Sequence, residues 1–434
     1  MAEPGGKTSR IHVPVLTRVE GEGALELEIA NGVISCLQLR IYEPPRFFEK
    51  FLEGRGYAEL VDIVARICGI CPVAYQMSAV QAIEQAFAAQ PSPWVQAMRR
   101  LLYCGEWLES HALHIHMLAL PDFLGFDNAI AMAAVYPDEV RRGLQLQALG
   151  NRIIAFLGGR SVHPVGVRPG GFYHAPSAAD AAQLAADCAA ALPQAEALLR
   201  WVATLPMPDD EQDFTSVCLR HADEYPMNGG RIVSSTGLDI VIEDYAAHFA
   251  ESHVPHSTAL HSHLHGQPYL VGPLARLNLN LDRLPERTAE LLQQTGVRFP
   301  SRNMFHSLLA RAVEIHVVLS DAVRLLQGYA VPAAPAVEVQ PQAATGYGCT
   351  EAPRGILWHR YAFDAAGDIR AATIVPPTSQ NQARIEQDLH AALLAYGLER
   401  PDEALRARCE QVIRNYDPCI SCATHFLRLK VRRT

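Results

Sequence analysis

No uninterrupted apolar run of about 18 residues occurs in this sequence, so no membrane-spanning helix is expected. The opening stretch MAEPGGKTSR lacks the apolar segment of a secretory signal, which makes the cytoplasm the expected compartment. No long basic stripe accompanies the net charge of −9, and nucleic acid is therefore not the expected partner. No GxGxxG follows a predicted strand, which removes the dinucleotide-binding fingerprint. GGKTSR shares only the end of a phosphate loop, because Met1 stands where that loop needs its first glycine. Internal repeats and low-complexity linkers are absent too.

What remains is a chain rich enough in apolar residues to build a large core. Hydrophobic residues make up 49% of the 434 and charged residues 19%. Residues 15–43 alternate and turn at Asn31-Gly32, which predicts antiparallel strands. Residues 57–327 carry alanine and leucine mostly at helical spacing, broken by the glycine- and proline-rich stretch 158–176. Residues 356–377 predict a second hairpin turning near Gly367, and residues 380–425 predict two further helices. The expected fold is mainly α with two small antiparallel β-sheets (α+β), a helical-bundle core in a single domain spanning 1–434.

Ten cysteines in a protein without an export signal read first as thiols, ligands or core residues. Four of them form two CxxC pairs, Cys68/Cys71 in RICGICP and Cys419/Cys422 in DPCISCATH. Pro72 suits the first position of the following helix and places Cys71 at its start, where the helix dipole favours a thiolate. Asp417 reads as an N-cap with Pro418 behind it, which puts Cys419 and Cys422 in a first helical turn. The i, i+3 spacing brings each pair to one face, so four thiolates can converge. The pairs lie far apart for a zinc ribbon, and spacing alone leaves zinc, an iron–sulfur cluster or two unrelated thiol pairs open. Cys36, Cys104, Cys188, Cys218, Cys349 and Cys409 are isolated and read as small core residues.

TRVEG, RICGICP, EAPRG, PTSQN and DPCISCATH, in the family's order and across nearly the whole chain, resemble the NiFe-hydrogenase large subunit. EPPRFFE and SHALHIHMLALPD resemble most its cytoplasmic, bidirectional, NADP-linked branch, the sulfhydrogenases. The resemblance implies the hydrogenase large-subunit fold and heterolytic cleavage and formation of H2. It implies nickel held by Cys68, Cys71, Cys419 and Cys422, with Cys71 and Cys422 bridging to an iron that carries carbon monoxide and cyanide. Arg354 would hang over the open metal position, Pro353 and Thr378 would line the diatomic pocket, and Asp122 and Asp417 would hold the arginine. Glu20 would relay protons beside Cys419, with either Arg354 or Cys419 as the base. Glu49 and His425 would bind magnesium or a similar ion.

The same resemblance implies a maturation protease that cuts between His425 and Phe426, removing 426–434, and nickel-insertion chaperones. With no further CxxC pair to carry electrons, an iron–sulfur small subunit is implied, with FAD and NAD(P) on further diaphorase subunits. Tyr75 departs from the pattern, since many relatives have histidine there. Alternatives are a soluble hydrogenase with F420 or another acceptor, a non-catalytic homologue like the complex I subunit, and a structural zinc protein. His111, His114 and His116, and His261, His263 and His265, read as polar or core packing rather than ligands.

Overall fold

The computed structural model describes residues 8–424. Strands Thr8–Val13, Gly23–Ala30 and Val33–Ile41 form an antiparallel sheet in chain order. Asn31 and Gly32 take φ of 53° and 75°, the left-handed pair that matches the twist of a two-residue hairpin. The sheet begins earlier than the expected residue 15, and 14–22 is an irregular loop. A parallel bridge in that loop pairs Glu20 with Cys419.

The core is helical, as expected. Helix Pro93–Leu113 packs along Pro137–Gly158 and Ser307–Gln327, and Ser307–Gln327 packs along Ala178–Val202. Proline opens four of the longer described helices, where its missing N–H costs nothing. The stretch VQAMRRLLYCGEWLESHALHIHMLAL is not one α-helix. It passes into a π-turn at His114–Ala119 and resumes as Leu120–Leu124. Pro121 has no N–H for an α-helical bond to the preceding turn, which accounts for the break.

Five small sheets are present among the described residues, against the two expected. Strands Val217–Arg220, Arg231–Ser234 and Asp239–Ile240, and the pair Phe249–Ser252 and His261–Leu264, interrupt the region read as helical. They carry a second apolar cluster in which Tyr245 stacks on Phe249 and Trp358, with ring centroids 4.3 and 4.8 Å apart. The expected hairpin is there as Gly355–Phe363 and Ile369–Val375, but a third strand, Ala344–Ala352, flanks it. That strand escaped notice because ATGYGCTEA is glycine-rich. A Cβ on Gly346 would sit 1.9 Å from the Ala82 carbonyl oxygen, and one on Gly348 2.0 Å from that of Ser78. The glycines let the strand lie directly on helix Pro72–Ala86.

Helices Pro377–Tyr396 and Asp402–Tyr416 then lead to a single turn, Ile420–Ala423. His425 and the expected extension 426–434 lie outside the described residues. No described helix is long and apolar enough to cross a membrane.

Gly348→Ala should cost about 1–3 kcal/mol through overpacking, read as a lower denaturant midpoint. Gly56→Ala, at φ −70° with no contact closer than 3.8 Å, should cost far less.

Candidate metal centre

Cys71 is the N-cap of helix Pro72–Ala86 with Pro72 in the first position, as its sequence predicts. The second pair is built differently from expectation. Asp417 does not cap the following turn; it ends helix Asp402–Tyr416 in the left-handed conformation, φ 56°, and Cys419 is the N-cap of Ile420–Ala423. A residue before proline is driven out of the α-region, and aspartate tolerates the left-handed one better than most.

The two pairs meet. The sulfurs of Cys68 and Cys419 are 3.3 Å apart, those of Cys71 and Cys422 3.5 Å, and those of Cys419 and Cys422 2.9 Å. All four cysteines are buried, and the N–H groups of Ile70 and Cys71 donate to the Cys68 sulfur at 3.3 Å. The thiols of Cys419, Cys422 and Cys71 support a thiolate on Cys68 and hold it well below the ordinary cysteine range. Cys419 is pushed well above that range, first by Cys422. Four sulfurs this close, away from water, become thiolates together only around cations. A soft S4 set of this kind fits nickel with iron beside it.

Two side chains tie the loops together. The Arg46 N–H donates to the Thr424 carbonyl at 2.8 Å, and its guanidinium reaches the carbonyls of Ile67, at 2.6 Å, and Ser421. Arg46 thus holds the residue before Cys68 and the residue before Cys422. The Glu20 carbonyl accepts the Ile420 N–H at 3.0 Å, and its carboxylate accepts the N–H of Ser421 at 3.0 Å and the Ser421 hydroxyl. Gly21, at φ 91°, allows this approach, since a Cβ there would lie 2.6 Å from Ile420 and from Glu43. Burial, then Cys68, pushes the Glu20 carboxyl up against the pull of Ser421 and Cys419. The Ser421 hydroxyl also lies 3.3 Å from the Glu43 carboxylate.

Above the sulfurs sits Arg354, in the turn between strands Ala344–Ala352 and Gly355–Phe363. Arg276 fixes that turn by donating to the carbonyls of Ala352 and Pro353, each at 2.8 Å. Arg354 donates through Nε to the Asp417 carbonyl at 2.8 Å and through Nη2 to its carboxylate at 3.0 Å. Its buried Nη1 has no hydrogen-bond partner among the described residues. Burial works against its charge, but Asp417 and the sulfurs of Cys419, Cys71 and Cys68 outweigh it and raise its pKa. Arg311 reaches the other Asp417 oxygen at 3.3 Å.

Asp122 is not part of this arrangement. It pairs with Arg18 and with Arg414, the latter at 3.0 Å, because the helix beyond the π-turn faces the N-terminal loop. The carboxylate that does feel Arg354 is Glu109, one helical segment earlier, which the sequence reading missed. Burial pushes Glu109 up to about 8, with Arg354 pulling the other way. Glu106, one turn before it, accepts the N–H groups of Val73 and Ala74 at 2.6 and 3.0 Å and so caps the helix that begins after Cys71. Two glutamates at i, i+3 in the stretch 101–113, which has no other carboxylate, lysine or arginine, were the available signal.

Thr378 accepts the Cys419 N–H at 3.1 Å and keeps its hydroxyl hydrogen to donate. Pro353 is buried in the arginine turn. Glu49 accepts the Ile374 N–H at 2.7 Å; its expected companion His425, and Phe426, fall outside the described residues. His111, His114 and His116 are packed as expected, on Glu314, the Arg414 carbonyl and the Ala112 carbonyl. Of the six isolated cysteines, all but Cys36 are buried.

Comparison with known proteins gives the same picture. The family described as nickel-dependent hydrogenase matches residues 46–140 and 261–425. Sulfhydrogenase 1 subunit alpha of Pyrococcus furiosus is 34% identical over 96% of this chain and 98% of its own length. The NAD-reducing hydrogenase HoxS subunit beta of Cupriavidus necator is 28% identical over 96% of this chain and 95% of its own. The crystal structure of an NAD+-reducing [NiFe]-hydrogenase in the H2-reduced state superposes with a TM-score of 0.83. It is 27% identical and covers 96% of this chain and 99% of that one.

Glu109 makes stability pH-dependent. Its folded pKa lies above the ordinary value of 4.5, so its contribution is fully present below about 4.5 and is lost as pH rises through about 8. Glu109→Gln should flatten the fall in unfolding free energy across that window, an effect on the order of a few kcal/mol. Denaturant titrations at several pH values check it; an unchanged slope would contradict it.

Proposed function

The chain belongs to the nickel-dependent hydrogenase family and is the catalytic large subunit of a NiFe-hydrogenase, and from that premise we propose how its residues divide the reaction. The observation that carries the reading is the meeting of four buried sulfurs beneath a buried, charged arginine. Cys68, Cys71, Cys419 and Cys422 would hold nickel, with Cys71 and Cys422 shared with iron. When bound, these metals supply the Lewis acid and redox centre at which dihydrogen is polarised and split.

The chain's own residues handle the proton. The base is the Cys419 sulfur, which lies against the Glu20 carboxylate. Arg354 is the weaker candidate, because Asp417 and the surrounding sulfurs keep its guanidinium protonated. From Cys419 the proton passes to Glu20, whose raised pKa suits it to accept and release, then through the Ser421 hydroxyl to Glu43 near the surface. Arg354 instead presents a fixed positive charge to the open face, oriented by Asp417. Thr378 would donate to a ligand of the iron.

Electrons would leave through an iron–sulfur small subunit and reach NAD(P) through flavin-bearing diaphorase subunits in the cytoplasm. The sulfhydrogenase alpha and NAD-reducing beta subunits, each a subunit of a larger hydrogenase, support this branch. Glu49 and His425 would bind magnesium, and a maturation protease would cut after His425 once chaperones have delivered nickel. Domain organisation follows the same reading, with 1–434 as a single unit. The non-catalytic and zinc-protein readings lose ground because neither needs Arg354 over the sulfurs or Glu20 beside Cys419.

Glu20→Gln should retain nickel and iron at wild-type content yet slow hydrogen–deuterium exchange by about 10²- to 10⁴-fold. Unchanged exchange would take Glu20 out of the path. Arg354→Lys keeps a charge but cannot reproduce the two-point hold on Asp417. Hydrogen oxidation should fall about 10²-fold or more with metal content unchanged.

A further inference from the structure

Away from the four cysteines, His256, His261 and Glu386 each offer a ligand atom within 4.8 Å of the other two. They come from separate elements. His256 lies in the loop joining strands Phe249–Ser252 and His261–Leu264, His261 opens the second of these, and Glu386 is on helix Pro377–Tyr396. His256 Nε2 and Glu386 Oε1 are 2.7 Å apart, and the rings of His256 and His261 meet edge to face with centroids 5.9 Å apart. His261 is 3% exposed, and its Nε2 has no hydrogen-bond partner among the described residues. A buried imidazole nitrogen left without a partner is costly unless something binds it. The Leu39 N–H donates to the same oxygen, Glu386 Oε1, at 2.9 Å and steadies the carboxylate, as supporting groups do around metal ligands.

We propose that His256, His261 and Glu386 form a further metal site, distinct from the cysteine centre and from Glu49, that takes a zinc-type divalent ion. Two imidazoles and one carboxylate select borderline ions such as Zn²⁺ over magnesium or calcium, which prefer oxygen. Three protein ligands leave the fourth tetrahedral position to water. His256 and Glu386 are 17% and 20% exposed in their side chains, which gives the ion a way in and the water a place. Ligand atoms on a tetrahedral ion with bonds of about 2.0–2.1 Å sit about 3.3 Å apart, so binding opens the His256–Glu386 pair slightly from 2.7 Å and draws His261 in from within 4.8 Å. The proton on His256 Nε2 then moves to Nδ1 or to water.

The ion would act as a clamp. It would fasten the loop containing His256 to the helix that begins beside Thr378. Thr258, two residues on, already ties that loop to strand Val33–Ile41 through its N–H on the Ile41 carbonyl at 2.8 Å.

The test uses the purified protein with its nickel and iron in place, so that the cysteines are occupied. It is incubated with excess Zn²⁺, desalted and analysed for zinc, with X-ray absorption at the zinc edge. About one additional zinc per chain is expected, with nitrogen and oxygen neighbours and no sulfur shell, lost at least tenfold in both His261→Ala and Glu386→Gln. The glutamine keeps an acceptor for Leu39 and for His256, so that variant separates lost ligation from lost folding. Equal zinc in wild type and both variants, no retained zinc, or a sulfur shell would each overturn the site.

Discussion

Cys68 and Cys419 are 351 positions apart in the chain, yet their sulfurs are 3.3 Å from one another. Closing a loop of that length costs on the order of 5 kcal/mol of entropy in a flexible chain. The bonds that oppose this cost are few and specific. Arg46 grips a carbonyl beside each pair, Glu20 pairs its backbone with Cys419 and its carboxylate with Ser421, and Thr378 accepts the Cys419 N–H. The helical core serves the same end, because it fixes helix Pro72–Ala86 and the C-terminal helices as rigid carriers of the two pairs. Removing the metals would leave these bonds in place but would return the sulfurs to competition for protons.

The charges around the centre form a linked set rather than separate pairs. Arg354 and Arg311 share Asp417, while Arg276 pairs with Glu314 and Glu351 and holds the turn that carries Arg354. All six of these groups are buried. Such networks add little net stability once desolvation is counted, so their worth lies in orientation. The guanidinium of Arg354 is held in one position with Nη1 uncommitted among the described residues, which suits a charge that must be in place before the reacting molecule arrives. Glu109 adds a buried acid close enough to feel that charge.

Much of this was legible from residue types at short spacing. Asn31-Gly32 specified its hairpin, Pro72 fixed the start of the helix after Cys71, and the two CxxC pairs marked the centre. What sequence could not carry was tertiary. Asp122 looked like a partner for Arg354, but the π-turn before it redirects the helix and hands it to Arg18 and Arg414. Asp417 looked like an N-cap, whereas it ends helix Asp402–Tyr416 in the left-handed region with its carboxylate on two arginines. Strand Ala344–Ala352 looked like a loop because its glycines are shaped by the helix it lies on. Glu386 and the two histidines beside it are 130 and 125 positions apart in sequence, and no local pattern could join them.

The most direct test is an infrared spectrum of the native protein purified without oxygen, with nickel and iron measured on the same sample. The account predicts nickel with at least one iron per nickel, together with the stretching bands of carbon monoxide and cyanide on iron. Zinc in place of nickel and iron, with no such bands, would make the four cysteines a structural site and contradict the account.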